Sequence, residues 1–124
     1  MTIDFQVLDS GHIMWLTVHE PWTFEEIHAV HDKVIAHLNN VNFTVHALLD
    51  ATDMRSLPPG MVGIPAHDVL IHERTGFTAI CRGTGLVRSM LEMLFKWERF
   101  EKYYMFSTYD EALAFLREII RVGE

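Results

Sequence analysis

The chain alternates short β-rich runs with longer amphipathic segments, and this alternation limits the fold more than any other feature. Two β-rich runs open the chain, at 3–9 and 12–18, with a Ser-Gly turn between them that is typical of a hairpin. Three more follow at 43–50, 76–81 and 102–106, with helical spacing between and after them. The order ββαβαβαβα predicts an α/β fold: a mostly parallel sheet of about five strands with about four helices against it.

Two of the predicted helices have clear start signals. Thr23 is followed three residues later by Glu26, and Thr108 by Glu111, as in a capping box. In the first helix the apolar residues recur at helical spacing: Ile27, Val30, Val34 and Leu38. That stripe predicts a helix packed on the sheet.

Length and charge set the broad class. A chain of 124 residues without repeats or linkers fits one domain, predicted at 1–124. It has no run of about 18 apolar residues and no basic start followed by an apolar block, so we expect a soluble, cytoplasmic protein without a membrane span. A formal net charge of −7 and dispersed basic residues argue against nucleic acid or anionic membrane as partners.

The single cysteine, Cys81, excludes an intramolecular disulfide and a multi-thiolate zinc site. It ends the apolar run FTAIC, which predicts a buried structural thiol rather than a nucleophile.

Five segments are informative about the family: GHIMWL in the second strand, TFEEI at the start of the first helix, LLD at 48–50, GLVR before the third helix, and YDEALAFL near the end. These segments resemble a STAS-type domain, the fold of anti-sigma factor antagonists. The chain is similar over nearly its whole length to the STAS/SEC14-like (SpoIIAA-like) group of small bacterial proteins. The resemblance implies architecture more than activity.

In the sigma-regulating members of this group, a serine at the start of the helix after strand three is a phosphorylation switch. Aligning Asp50 with the family's strand-end aspartate brings Pro58-Pro59-Gly60 to that place, where neither proline has a hydroxyl. The usual switch is therefore not expected. Thr52 and Ser56 remain candidate switch residues, and Asp50 and Asp53 form the best carboxylate pair of the chain, for which turn capping is the preferred interpretation.

The eight histidines raise the possibility of a metal site, and His28 and His31 lie three apart in the first helix. No HExxH or Cys-His cluster accompanies them, so we predict no metal and no cofactor.

The turn RGTG follows a predicted buried strand and precedes a helix. Gly83, Thr84, Gly85 and Arg88 form a candidate site for a small anion, because glycine amides and a helix start favour negative groups. A tight turn with Thr84 as the helix cap is the preferred alternative.

The third helix has more apolar residues than one inward stripe needs. Its predicted inward residues are Leu86, Val87, Met90, Leu91, Leu94 and Phe95. Met93, Trp97 and Phe100 then lie at or beyond the edge of the stripe and form a candidate surface for a protein partner or a second copy of the chain.

The chain contains no GxSxG motif and no catalytic cysteine signature. We therefore predict a non-enzymatic interaction or regulatory module, whose partner is another protein or a second copy of the chain in a homodimer. The alternative is a binder or sensor of a small apolar, lipid-like or anionic ligand, which the SEC14-like resemblance and the surplus of methionine and aromatic residues favour.

Overall fold

The computed structural model describes residues 3–19, 23–54 and 64–123. The strands are β1 (Ile3–Leu8), β2 (Ile13–His19), β3 (Val45–Asp53), β4 (Thr75–Cys81) and β5 (Tyr103–Phe106). The helices are α1 (Phe24–Asn39), α2 (Ile64–Leu70), α3 (Gly85–Trp97) and α4 (Tyr109–Gly123). The predicted α/β class and element order are confirmed. None of the helices in these ranges is both long and apolar enough to cross a bilayer.

The five strands form one sheet in the order β1-β2-β3-β4-β5. β1 and β2 are antiparallel, and every later pair is parallel. Each right-handed crossover therefore moves one strand in the same direction, which brings α1, α2 and α3 to one face of the sheet. We call this the three-helix face, and the opposite side, which α4 covers, the α4 face.

The predicted caps are confirmed in the backbone. Glu26 N donates to Thr23 Oγ1 over 3.2 Å at the start of α1, and Glu111 N donates to Thr108 Oγ1 over 3.1 Å at the start of α4. Each threonine satisfies an amide that the first helical turn leaves without a partner, typically worth about 1 kcal/mol.

β3 is longer than predicted. The sequence suggested an end at Asp50, whereas the strand continues to Asp53. A register shift in β2 between Thr17 and His19 lets the pairing continue, so that His19 pairs with Asp53. Thr52 and Asp53 therefore belong to the strand end and not to a following turn.

Candidate functional site

An apolar cavity of about 160 Å³ lies between the three-helix face and its helices. The sheet contributes Ile3, Met14, Leu16, Val18, Ala47, Leu49 and Thr78, and the helices contribute Ile27, Val30, His31, Val34, Val69, Leu70, Leu91, Leu94 and Phe95. An engineered apolar cavity of about this size, roughly 150 Å³, stays dry and binds benzene. The space is therefore large enough for a small organic molecule.

Small side chains on two neighbouring strands account for part of this space. Ala47 of β3 and Thr78 of β4 are register partners, and both line the cavity. Ala47 and Leu16 are only partly buried although α1, α2 and α3 lie over this face. The described side chains over these central strands therefore leave the space unfilled and partly open to solvent.

His31 brings a polar group to the otherwise apolar wall. Its side chain is 16% exposed, and its Nε2 atom is buried without a hydrogen-bond partner among the described residues. Asp68 Oδ2 lies 3.4 Å from Nε2, within ion-pair distance, but the angles do not make a hydrogen bond. Because Nε2 has essentially no accessible surface, this atom lies beneath the cavity wall beside Asp68 and does not face the open space.

Histidine contacts connect α2 with its neighbours around the cavity. His31 of α1 faces Asp68 of α2 as described above. His67 Nδ1 lies 2.7 Å from Glu98 Oε1, which follows α3. His72 Nε2, just after α2, lies 2.8 Å from Asn39 Oδ1 at the end of α1. Because α2 also contributes Val69 and Leu70 to the lining, these polar contacts position one wall of the cavity.

The carboxylate pair at the end of β3 has structural partners. Asp50 is buried, and its Oδ1 accepts from Thr52 N at 3.0 Å and from the Thr52 hydroxyl. Arg82 donates to Thr52 Oγ1 at 3.2 Å, and Asp53 Oδ2 lies 2.7 Å from His19 Nδ1. The predicted turn capping by this pair is thus only partly matched: Asp50 accepts from a backbone amide, but within β3 and not in a turn, and Asp53 contacts His19. Ser56 lies outside the described residues.

The RGTG segment is a tight turn with a capped helix after it. Arg82 and Gly83 adopt φ of 63° and 88°, and Val87 N donates to Thr84 Oγ1, which confirms the cap. A Cβ at Gly83 would lie 3.1 Å from that of Ala51, so glycine suits this position sterically as well. Gly85 opens α3.

Arg88 is committed to the backbone around this turn. Its Nε donates to Arg82 O at 3.1 Å, and its Nη2 donates to Phe106 O at 2.8 Å. These bonds tie the start of α3 to the ends of β4 and β5. Anion binding at the turn stays a prediction.

The candidate contact surface on α3 is divided by the structure. Met93 and Trp97 are 71% and 80% exposed, whereas Phe100 is partly buried and its ring centroid lies 5.5 Å from that of Phe95. The prediction that Leu86 faces inward is wrong, since it is 65% exposed. At 100° per residue it points about 125° away from the centre of the buried stripe. Leu86, Met93 and Trp97 form the exposed α3 stripe.

Cys81 is buried, as predicted. Burial raises the pKa of its thiol to about 11, and the nearby Asp50 carboxylate acts in the same direction. A thiol with such a pKa is protonated at neutral pH and is a poor nucleophile. In the part of the chain that the structure describes, no three histidine, cysteine, aspartate or glutamate side chains are grouped to hold a metal ion.

Comparison with known proteins shows the fold alone. No family model and no curated protein matches the chain. Among solved structures it is similar to the NMR structure of the protein TM1081, with 21% sequence identity and a TM-score of 0.66. The match covers 94% of this chain and 89% of TM1081. The likeness supports a single α/β arrangement along the chain without assigning an activity to it.

Proposed function

We propose that this protein binds a small, largely apolar molecule in the cavity beneath α1, α2 and α3, as a carrier or sensor that does not transform its ligand. The observation that carries the proposal is the cavity of about 160 Å³, whose described lining is apolar apart from His31 and Thr78. Ligand sites in proteins commonly combine an apolar wall with a few well-placed polar groups.

The energetics favour an apolar occupant. Each methylene group moved from water into such a wall contributes about 0.8 kcal/mol, and the wall itself already exists in the folded protein. The ligand therefore has few side chains to order on binding, which lowers the cost of association.

The test uses toluene as a neutral apolar probe and follows thermal unfolding. A ligand that binds only the folded state raises the melting temperature with concentration. We expect toluene to stabilise the wild-type protein and to lose at least about fivefold in affinity in Ala47→Leu, because leucine fills space at the cavity floor.

Ala114→Leu is the matched control, since Ala114 is exposed on α4 at the other side of the sheet. It should bind toluene as the wild type does. Equal affinities for toluene in Ala47→Leu and Ala114→Leu would contradict the proposal, as would a wild-type melting temperature that toluene leaves unchanged. Native mass spectrometry of protein purified from cells then asks whether a natural ligand is retained.

Protein contact through the exposed α3 stripe is a second candidate function. Leu86, Met93 and Trp97 are each more than 60% exposed and lie on one side of the helix. Methionine and tryptophan together are enriched in interfaces, and their exposure brings no stability to the isolated chain.

Light scattering tests this second function in the form of self-association. Met93→Lys with Trp97→Glu should reduce the apparent mass of any oligomer, while Glu92→Gln, exposed on the same helix, should not. If the wild-type protein is a monomer and the double variant has the same apparent mass, self-association through the stripe is ruled out.

A further inference from the structure

Water reaches part of the cavity beneath α1, α2 and α3. Four of its apolar lining residues are only partly buried: Leu16, Ala47, Val69 and Leu70. Other lining residues are closed off from solvent, and Met14 and Leu91 are each 1% exposed. A ligand in this space can therefore have one end in an apolar interior and the other end in water.

The described lining offers almost no partner for a polar group of the ligand. His31 lines the cavity, but its Nε2 has essentially no accessible surface, and its Nδ1 lies 3.7 Å from the solvent-exposed carboxylate of Asp32. Thr78, 8% exposed, brings the one hydroxyl of the described lining. The backbone groups of the sheet point toward neighbouring strands and not out of its face. A polar group inside the cavity would thus lose its hydrogen bonds to water with little in return.

We infer that the cavity takes the apolar end of an amphiphile, an alkyl or aryl group of about six to eight carbon atoms, while the polar group of the ligand stays in water at the opening. This inference rests on the proposed function and names the class of its ligand. The site then selects by the length of the apolar group and by the position of the polar group, and the chemistry of the polar group matters little.

Apolar burial sets the preferred length. Each methylene group buried against the lining strengthens binding by about fourfold. An engineered cavity of roughly 150 Å³ accommodates benzene, so this space of about 160 Å³ fills at about six to eight carbon atoms. Further methylene groups remain in water and add little to the affinity.

Straight-chain alcohols from 1-butanol to 1-decanol test the preferred length. Methyl chemical shifts in NMR spectra of the protein measure binding, and those of Leu49 and Val69 report on the cavity, which both residues line. We expect the affinity to rise about fourfold per methylene group up to about eight carbon atoms, and by less than about twofold per group beyond that.

Two matched probes test where the polar group lies. 1,6-Hexanediol has a second hydroxyl at the end that 1-hexanol buries, so we expect it to bind at least about tenfold more weakly than 1-hexanol. Heptanamide has the same hexyl group as 1-hexanol with a different neutral polar group. Its affinity should lie within about threefold of that of 1-hexanol, because both polar groups keep their water.

A variant of the cavity floor shifts the preferred length. In Ala47→Leu the larger side chain takes the space of roughly three carbon atoms of ligand, so the affinity should stop rising at correspondingly shorter alcohols. Ala114→Leu, on the exposed side of α4, should leave the length dependence unchanged. Circular dichroism confirms that both variants fold.

Failure of this inference is distinguishable from failure of the proposed function. If toluene and 1-hexanol bind but 1,6-hexanediol binds as tightly as 1-hexanol, the interior accepts polar groups, and the inference is overturned while the ligand site stands. An affinity that keeps rising fourfold per methylene to 1-decanol, or a length dependence that Ala47→Leu leaves unchanged, overturns the length selection in the same way. If neither toluene nor any of the alcohols binds, the cavity is not a ligand site and both proposals are wrong.

Discussion

The two faces of the sheet differ in a way that the number of covering helices does not explain. Three helices lie over one face and leave a cavity of about 160 Å³. One helix, α4, lies over the other, and there the aromatic rings meet closely. The ring centroid of Phe115 lies 5.0 Å from that of Tyr104 and 5.2 Å from that of Phe106. Coverage by helices is therefore not the same as filling of the core.

Side-chain size on adjacent strand positions explains the difference. In β3, Ala47 points to the three-helix face and Leu48 to the α4 face. In β4, Thr78 lines the cavity, whereas Phe77 packs with Phe115 behind the sheet. Because side chains alternate across a strand, one short segment can provide a small floor on one side and a full core on the other.

Shortening two neighbouring leucines of β3 should give the largest changes in the free energy of unfolding. Leu48 is fully buried on the α4 face, and Leu49 is 7% exposed and lines the cavity. We expect Leu48→Ala to lower the free energy of unfolding by about 4 kcal/mol and Leu49→Ala by about 2.5 kcal/mol. The first opens a new void, while the second enlarges a space that already exists.

Urea unfolding of both leucine variants measures this difference, with unchanged m-values as the check that the same state unfolds. An equal or greater loss in Leu49→Ala would show that the three-helix face is packed as tightly as the other.

Enlarging two alanines should give the second-largest change in the free energy of unfolding. These substitutions add side-chain volume, whereas the leucine variants remove it. Ala79 is fully buried on the α4 face, and Ala47 is partly buried at the floor of the cavity. Ala79→Leu should cost about 2 kcal/mol because the added carbons have no room. Ala47→Leu should change stability by less than about 0.5 kcal/mol or raise it, as cavity-filling substitutions do. Thermal and urea unfolding both measure this difference. A comparable loss of stability in Ala79→Leu and Ala47→Leu would mean that the three-helix face has no more free space than the α4 face.

The sequence predicts the order of elements because it depends on local signals. Thr23 with Glu26, and Thr108 with Glu111, mark two helix starts that the structure confirms. The sequence predicts the end of β3 too early, at Asp50, because the pairing of Asp53 with His19 depends on a register shift in β2. Local patterns contain no information about such a shift.

The cavity is a property of several elements together, which is why sequence reasoning missed it. His31 lies four residues after Ile27 and three before Val34, so its spacing already placed it on the inward side of α1. The small Ala47, between the larger Val45 and Leu49 on the same face of β3, was a second signal, and Thr78 lies beside it in β4. The side chains of Ala47 and Thr78 come together only through the register of β3 and β4. The crossovers then place His31 of α1 over them.

The smallest effect concerns the surface on the α4 side, where Arg117 of α4 donates to both carboxylate oxygens of Asp9, over 2.9 and 3.0 Å. The hydrogen bond from Arg117 is the main cause of a lowered pKa at Asp9, and the arginine charge adds to it. The contribution of the pair is thus fully present above the unfolded aspartate pKa of about 3.9, and is lost as pH falls through the lower folded value.

Arg117→Gln should therefore be slightly less stable than the wild type at neutral pH, and the difference should disappear in acid below the folded pKa of Asp9. The effect is small because the arginine side chain is 54% exposed and solvent screens the pair. Urea unfolding across this pH range measures it, with Arg121→Gln as the control, since Arg121 pairs with Glu118 inside α4 and does not join the helix to the sheet. A difference that persists unchanged at low pH would mean that Arg117 stabilises α4 by packing of its stem against the sheet and not through Asp9.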